Sequence, residues 1–266
     1  MIVDAIVILA VAALGFYGLI DAGPRDWWAD ALGRWHAYVR GWQAALPVAW
    51  IAAVALPAAA ALAIDLLLRY EAHLAFEGLY GFAVLLAASA LGSFSSRHRE
   101  LLKHLYANDA DRVAQAADSW DNEAGGVVDG EGSMVPRMLG LCASKLHEDV
   151  LLPVLAYAVL GPFGAMLAFG HQQFAAGASA EHKAALRPLL AWTAAPSILI
   201  FAVCGNMVPA LATLAGLDVR RAALAATDSG GATVDIEKVP DFGRFIVRSL
   251  AFGVGGTVLA LLLLAA

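Results

Sequence analysis

Charge is scarce in this sequence. Asp, Glu, Lys and Arg make up 15% of its 266 residues, whereas 61% are hydrophobic. Soluble domains run nearer one quarter charged and one half apolar. Mean hydropathy is +0.70, and the apolar residues gather in long blocks, which predicts a chain embedded in a lipid bilayer. Basic residues are also in deficit. The net charge of -6 removes any general electrostatic reason to bind nucleic acid. Cysteine is limited to Cys142 and Cys204, which lack metal-type spacing and read as packing residues. The acids between residues 95 and 149 do not form a calcium loop with its closing glutamate, and His98, His104 and His147 do not form a zinc pattern. No metal site is predicted. Neither "GLDVRR" nor "DSGGATVD" is a phosphate loop. The first twenty residues have no basic segment and no small-residue cleavage pattern, so they read as a retained span. No internal repeat supports an inverted-repeat transporter, and no span carries a train of charges suited to a voltage sensor or proton relay.

What is present is helix-forming and apolar. Alanine and leucine dominate without sustained alternation, so the expected fold is all-α. About 20 apolar residues cross a hydrocarbon core as a helix. Six segments qualify, at about 2–20, 44–64, 74–94, 150–170, 187–206 and 245–265. The expectation is a single integral membrane domain over residues 1–266, polytopic, with amphipathic helices on its cytosolic side. The apolar stretch 207–217 is too short to cross and reads as an interfacial helix or an extension of the fifth span. With six spans, the 1–2, 3–4 and 5–6 loops and their helix ends carry 14 of the 17 Lys and Arg residues. Positive charge favours the cytosol, which places both termini in the periplasm and these three loops inside.

Two polar regions are candidates for function. In "PRDWWADALGRWHAYVRGW", Trp28, Trp35 and Trp42 repeat every seven residues and share a helix face. That pattern predicts an interfacial amphipathic helix. The sharper alternative puts Arg34, His36 and Arg40 on a phosphate-bearing ligand, since His36 and Arg40 are one helical turn apart. The largest cytosolic loop, residues 95–148, begins with "SSRHRELLKHLYA". There Leu101, Leu102 and Leu105 predict an amphipathic extension of the third span. Asn108 or Asp109 suits a helix N-cap, and Asp111 adds first-turn negative charge. "DNEAGGVVDGEGS" reads as a mobile loop. "MVPRMLGLCASKLH" then forms a short helix leading into the fourth span through His147, Glu148 and Asp149. Within the spans, Asp4, Asp65 and Glu77 are ionisable. Asp65 and Arg69 are one turn apart and predict an ion pair, while Glu77 is expected to reach water by snorkelling.

The order of these elements resembles a known superfamily. "YANDADRVAQAADSW" is similar to the segment after the third span in AmpE-type membrane proteins and in their relatives, the CobD/CbiB cobinamide-phosphate synthases. "LLPVLAYAVLGPFGAML" resembles the superfamily's fourth-span signature, and "LLAWTAAPSILIFAVCGNM" resembles its fifth span. "ATVDIEKVPDFGRFIVRSLAFGV" looks like the approach to the last span, so the resemblance covers much of residues 90–265. It implies a bacterial inner-membrane protein. Aligned on Gly161, Asp149 falls on the acid of the synthases' "EN..DG" pattern. Lys145 and Leu146 replace its "EN", and Ala191 and Pro196 replace the Asp and Arg of the fifth span.

These departures favour the AmpE branch. The resemblance then implies a regulatory or signalling role linked to β-lactamase induction or cell-wall stress, with no cofactor required. The alternative is a ligase of the cobinamide-phosphate synthase kind, using ATP and Mg²⁺. There Glu148 and Asp149 would act catalytically, and Arg34, His36, Arg40, Asn108, Asp109 and Arg112 would bind a small phosphorylated ligand at the cytosolic face. A transporter or lipid-binding scaffold is a third reading. All are compatible with a homo-oligomer.

Overall fold

A computed structural model of the chain describes residues 1–16, 23–42, 44–71, 74–107, 109, 111–113, 115–116, 134–178, 182, 186, 194–216, 218–227 and 239–265. Among the described residues there is no strand. The principal helices are α1 (Ile2–Phe16), α2 (Gly23–Arg40), α3 (Leu46–Tyr70), α4 (Leu74–Ala88), α5 (Leu91–Tyr106), α6 (Met134–Leu146), α7 (Leu152–Ala176), α8 (Ala194–Cys204), α9 (Met207–Ala212), α10 (Val219–Ala226) and α11 (Val239–Ala265). Three stretches are long and apolar enough to cross a membrane: Leu46–Tyr70, Met138–Ala176 and Gly243–Ala265. Ile2–Gly15, Leu74–Ala88 and Ala194–Cys204 are shorter apolar helices. Asn108 and the glycine-rich stretch 121–133 lie outside the described residues.

The chain forms two compact units. The first comprises Met1–Ser93, Asp149–Leu190 and Val254–Ala266; the second comprises Phe94–Glu148 and Ala191–Gly253. In the first, α7 packs on α3 and α4, and α4 packs on α1. Helix α2 begins with Gly23-Pro24, and proline in the first turn has no N–H to strand. Asp26 in the first turn and Arg40 in the last suit the helix dipole. Its Leu32, His36 and Val39 are buried at helical spacing. Val39 packs with Ala49, Ala53, Val54 and Phe174.

The partner surface of α2 contains a π-turn, Ile51–Ala55, in α3. Such a turn disturbs the regular helix ladder. Two of its carbonyls are met from α2: Trp35 Nε1 donates to Ala52 O at 3.1 Å and His36 Nε2 donates to Ala53 O at 3.2 Å. Trp35 therefore turns partly inward, while Trp27 and Trp42 stay exposed. Helix α7 breaks at Gly161, where φ is 63° and ψ is -151°, just before Pro162. Only glycine adopts that backbone region readily.

The sequence pattern predicts a third span running unbroken into "SSRHRELLKHLYA", but the helix stops at Ala88 and α5 restarts at Leu91. The Ala90 N–H supplies the reason. It leaves the helix ladder and donates to Asp149 O, 2.8 Å away, on the π-turn His147–Leu151 that joins α6 to α7.

In the second unit α10 packs on α6 and α8, and α9 packs on both α8 and α10. Asp218 caps α10 by accepting from Arg221 N at 3.0 Å. The chain turns after α8, where Asn206 N donates to Ala226 O at 2.6 Å. Residues 207–212 thus form a separate short helix and do not extend the fifth apolar segment. Helix α5 buries Phe94, His98, Leu101 and Leu105 on one face.

Candidate functional site

In the first unit, Arg34 is exposed on α2, whereas His36 is 0% exposed and engaged with Ala53 O. Burial lowers the His36 pKa, which disfavours the imidazolium that a phosphate would want. Arg40 donates through Nε to His36 O at 3.3 Å and through Nη1 to Gly177 O. Helical spacing brings His36 and Arg40 together, but into a packing contact. Asp149 is half-buried on the π-turn, and its backbone carbonyl holds Ala90 N.

In the second unit, Asp109 and Arg112 meet as a helix-start pair. Arg112 N donates to Asp109 Oδ1 at 3.2 Å, and Arg112 Nε lies 3.4 Å from Asp109 Oδ2. Asp109 therefore plays the capping role its spacing predicts. The Glu148 carboxylate accepts from Ser144 Oγ at 3.2 Å, one turn earlier. Next to Glu148, His147 Nδ1 lies 2.8 Å from Ser197 Oγ, and both side chains are buried. That pair links residues fifty positions apart, so spacing alone gave no sign of it.

The densest polar constellation among the described residues lies elsewhere, among the apolar helices of the first unit. Arg69 Nε is 2.9 Å from Asp65 Oδ2 on α3 and 3.3 Å from Glu77 Oε1 on α4. Asp4 on α1 hydrogen-bonds the Tyr157 hydroxyl of α7 and is near enough to Asp65 for the like charges to act on each other. The Met1 amino group lies 2.8 Å from Asp4. Tyr80 donates to Ala61 O at 3.0 Å, and the helix break at Gly161 faces Arg69. Four helices thus contribute ionisable groups to one locality.

The expected Asp65–Arg69 pair is present. Glu77 corrects the snorkelling expectation: it turns to Arg69, with its side chain only 16% exposed. The α3–α4 hairpin brings it back beside the arginine, and an intrachain guanidinium satisfies a carboxylate that water would otherwise have to reach. The i,i+4 spacing of Asp65 and Arg69 was the local signal. The contributions of Glu77, Asp4 and Tyr157 depend on helix packing.

One guanidinium facing two carboxylates can hold charge and can share a proton. Among the described residues, no group of three His, Cys, Asp or Glu side chains is arranged to hold a metal ion. No protein-family model, curated protein or solved structure matches the chain.

Proposed function

We propose that the protein is a six-span bacterial inner-membrane protein with a regulatory or signalling role of the AmpE kind, tied to β-lactamase induction or cell-wall stress. The observation that carries this reading over the ligase is the bonding of the candidate groups. Arg40 holds two backbone carbonyls, Arg112 pairs with Asp109, and the Glu148 carboxylate accepts from Ser144. A ligase handling several phosphates needs cations and acids aimed at its substrates. Here these groups hold helix ends and turns together.

The three long and three shorter apolar helices support six spans with the bilayer as the main partner, and the bias of Lys and Arg towards alternate loops supports periplasmic termini. The deciding experiment is a chromosomal deletion. It is expected to alter inducible β-lactam resistance and the muropeptide profile. Unchanged resistance together with unchanged muropeptides overturns the regulatory reading, and rescue of a cobalamin-synthesis mutant by this gene selects the ligase. Reporter fusions that place the C-terminus in the cytosol overturn the topology.

A further inference from the structure

Two carboxylates share one cation in the first unit, and the sharing leaves an unfilled position. Asp65 is only 4% exposed, and its Oδ1 meets no hydrogen-bond donor among the described residues. Its Oδ2 and the Glu77 carboxylate both depend on Arg69. The Met1 amino group and the Tyr157 hydroxyl are engaged by Asp4 and do not serve Asp65. Tyr80 is committed to Ala61 O. With every acid ionised, the Asp65–Arg69–Glu77 trio carries one negative charge among apolar helices. A buried ionised group without full pairing costs far more than a buried neutral one.

We propose that this trio is a proton-binding site, with the proton held on Asp65 Oδ1 and Arg69 left in a neutral pair with Glu77. The proton is the ligand whose size and charge fit. The trio lacks one positive charge, and no metal-type group of three side chains occurs among the described residues. Asp65 is the acid that takes it because its side chain is 6% exposed against 16% for Glu77, and the deeper carboxyl gains more from neutrality. Arg69, with its side chain 45% exposed, opens the trio to the surroundings and gives the proton a route. The site goes beyond the regulatory reading and does not depend on it.

The test is infrared spectroscopy of the full chain reconstituted in lipid vesicles at neutral pH, reading the carbonyl band of a protonated carboxylic acid and its shift in heavy water. Wild type is expected to show the band. Asp65→Asn removes the group that carries the proton and is expected to lose it. Glu77→Gln leaves Asp65 in place but gives it Arg69 undivided, and is also expected to lose the band at neutral pH. Absence of the band in wild type overturns the proposal, as does a band that survives either substitution. If Asp65→Asn fails to fold, wild type carrying 13C-carboxyl aspartate decides: the band is expected to shift with the aspartate label, and an unshifted band overturns the proposal. Complementation of the deletion strain by each variant reads the regulatory role separately, so the two ideas fail independently.

Discussion

Among the described residues both units bury neutral imidazoles, His36 and His171 in the first and His98 and His147 in the second, but they differ in charge. The first buries charge: Asp65, Arg69 and Glu77 form a trio beside the Asp4–Tyr157 pair. The second buries neutral groups. His147 meets Ser197, and His98 stacks on Phe94 with ring centroids 5.8 Å apart. A neutral imidazole inside an apolar face needs few partners. A carboxylate there needs a cation, and helices that supply one become dependent on each other.

The strongest way to break this contrast is Arg69→Ala. It leaves the Glu77 carboxylate without its cation and Asp65 Oδ2 without its donor, and loss of one partner of a buried pair costs about 3–5 kcal/mol. Because the Arg69 side chain is 45% exposed, roughly 2–3 kcal/mol is the expected loss here. Thermal unfolding in detergent reads it, and adding Asp65→Asn with Glu77→Gln should restore most of it. Gly81→Ala comes next. A methyl at that position runs into the Tyr157 hydroxyl, and overpacking costs about 1–3 kcal/mol. Tyr157→Phe in the same chain should relieve part of the cost; strict additivity of the two changes would deny the contact.

The second unit answers to pH. Burial lowers the His98 pKa from 6.5 to about 4. As pH falls, the unfolded chain takes up this proton before the folded one does. His98 therefore costs nothing above 6.5 and reduces stability progressively as pH drops towards about 4, by at most about 1.4 kcal/mol per pH unit. Unfolding midpoints of wild type and His98→Leu across that window should diverge in slope; parallel profiles would remove His98 as the source. The smallest effects come from single hydrogen bonds. Trp35→Phe removes the donor to Ala52 O at the π-turn, and Asp109→Ala removes a helix cap; each should cost about 1 kcal/mol. Hydrogen exchange at the π-turn and at the start of the helix after Asp109 would localise each loss.

Much of the architecture is legible locally. Apolar blocks and helix-favouring composition announce α1, α3, α4, α7 and α11, and their approximate positions agree with the expected segments. The break at residues 89–90 was not legible, because it depends on a hydrogen bond to Asp149 O from a residue fifty-nine positions earlier. The polar candidates divide in the same way. Asp109 reads correctly as a cap because its partner is three residues on. His36 and Arg40 share a helix face as their spacing requires, yet spacing cannot say whether that face meets solvent or another helix. It meets the π-turn of α3 and Phe174.

Composition and helical periodicity account for the helical class, the apolar segments, the Asp109 cap and the Asp65–Arg69 pair. Each follows from composition or from the three-to-four-residue repeat of a helix, and needs no knowledge of neighbours. Packing between helices makes Glu77 join Arg69, His147 meet Ser197 and His36 part of the core, and leaves Asp65 one buried oxygen without a donor among the described residues. Those outcomes depend on hairpin geometry, on π-turns that shift helix phase, and on the break at Gly161. A small rotation of a helix exchanges which side chains face one another, and local spacing carries no information about that rotation.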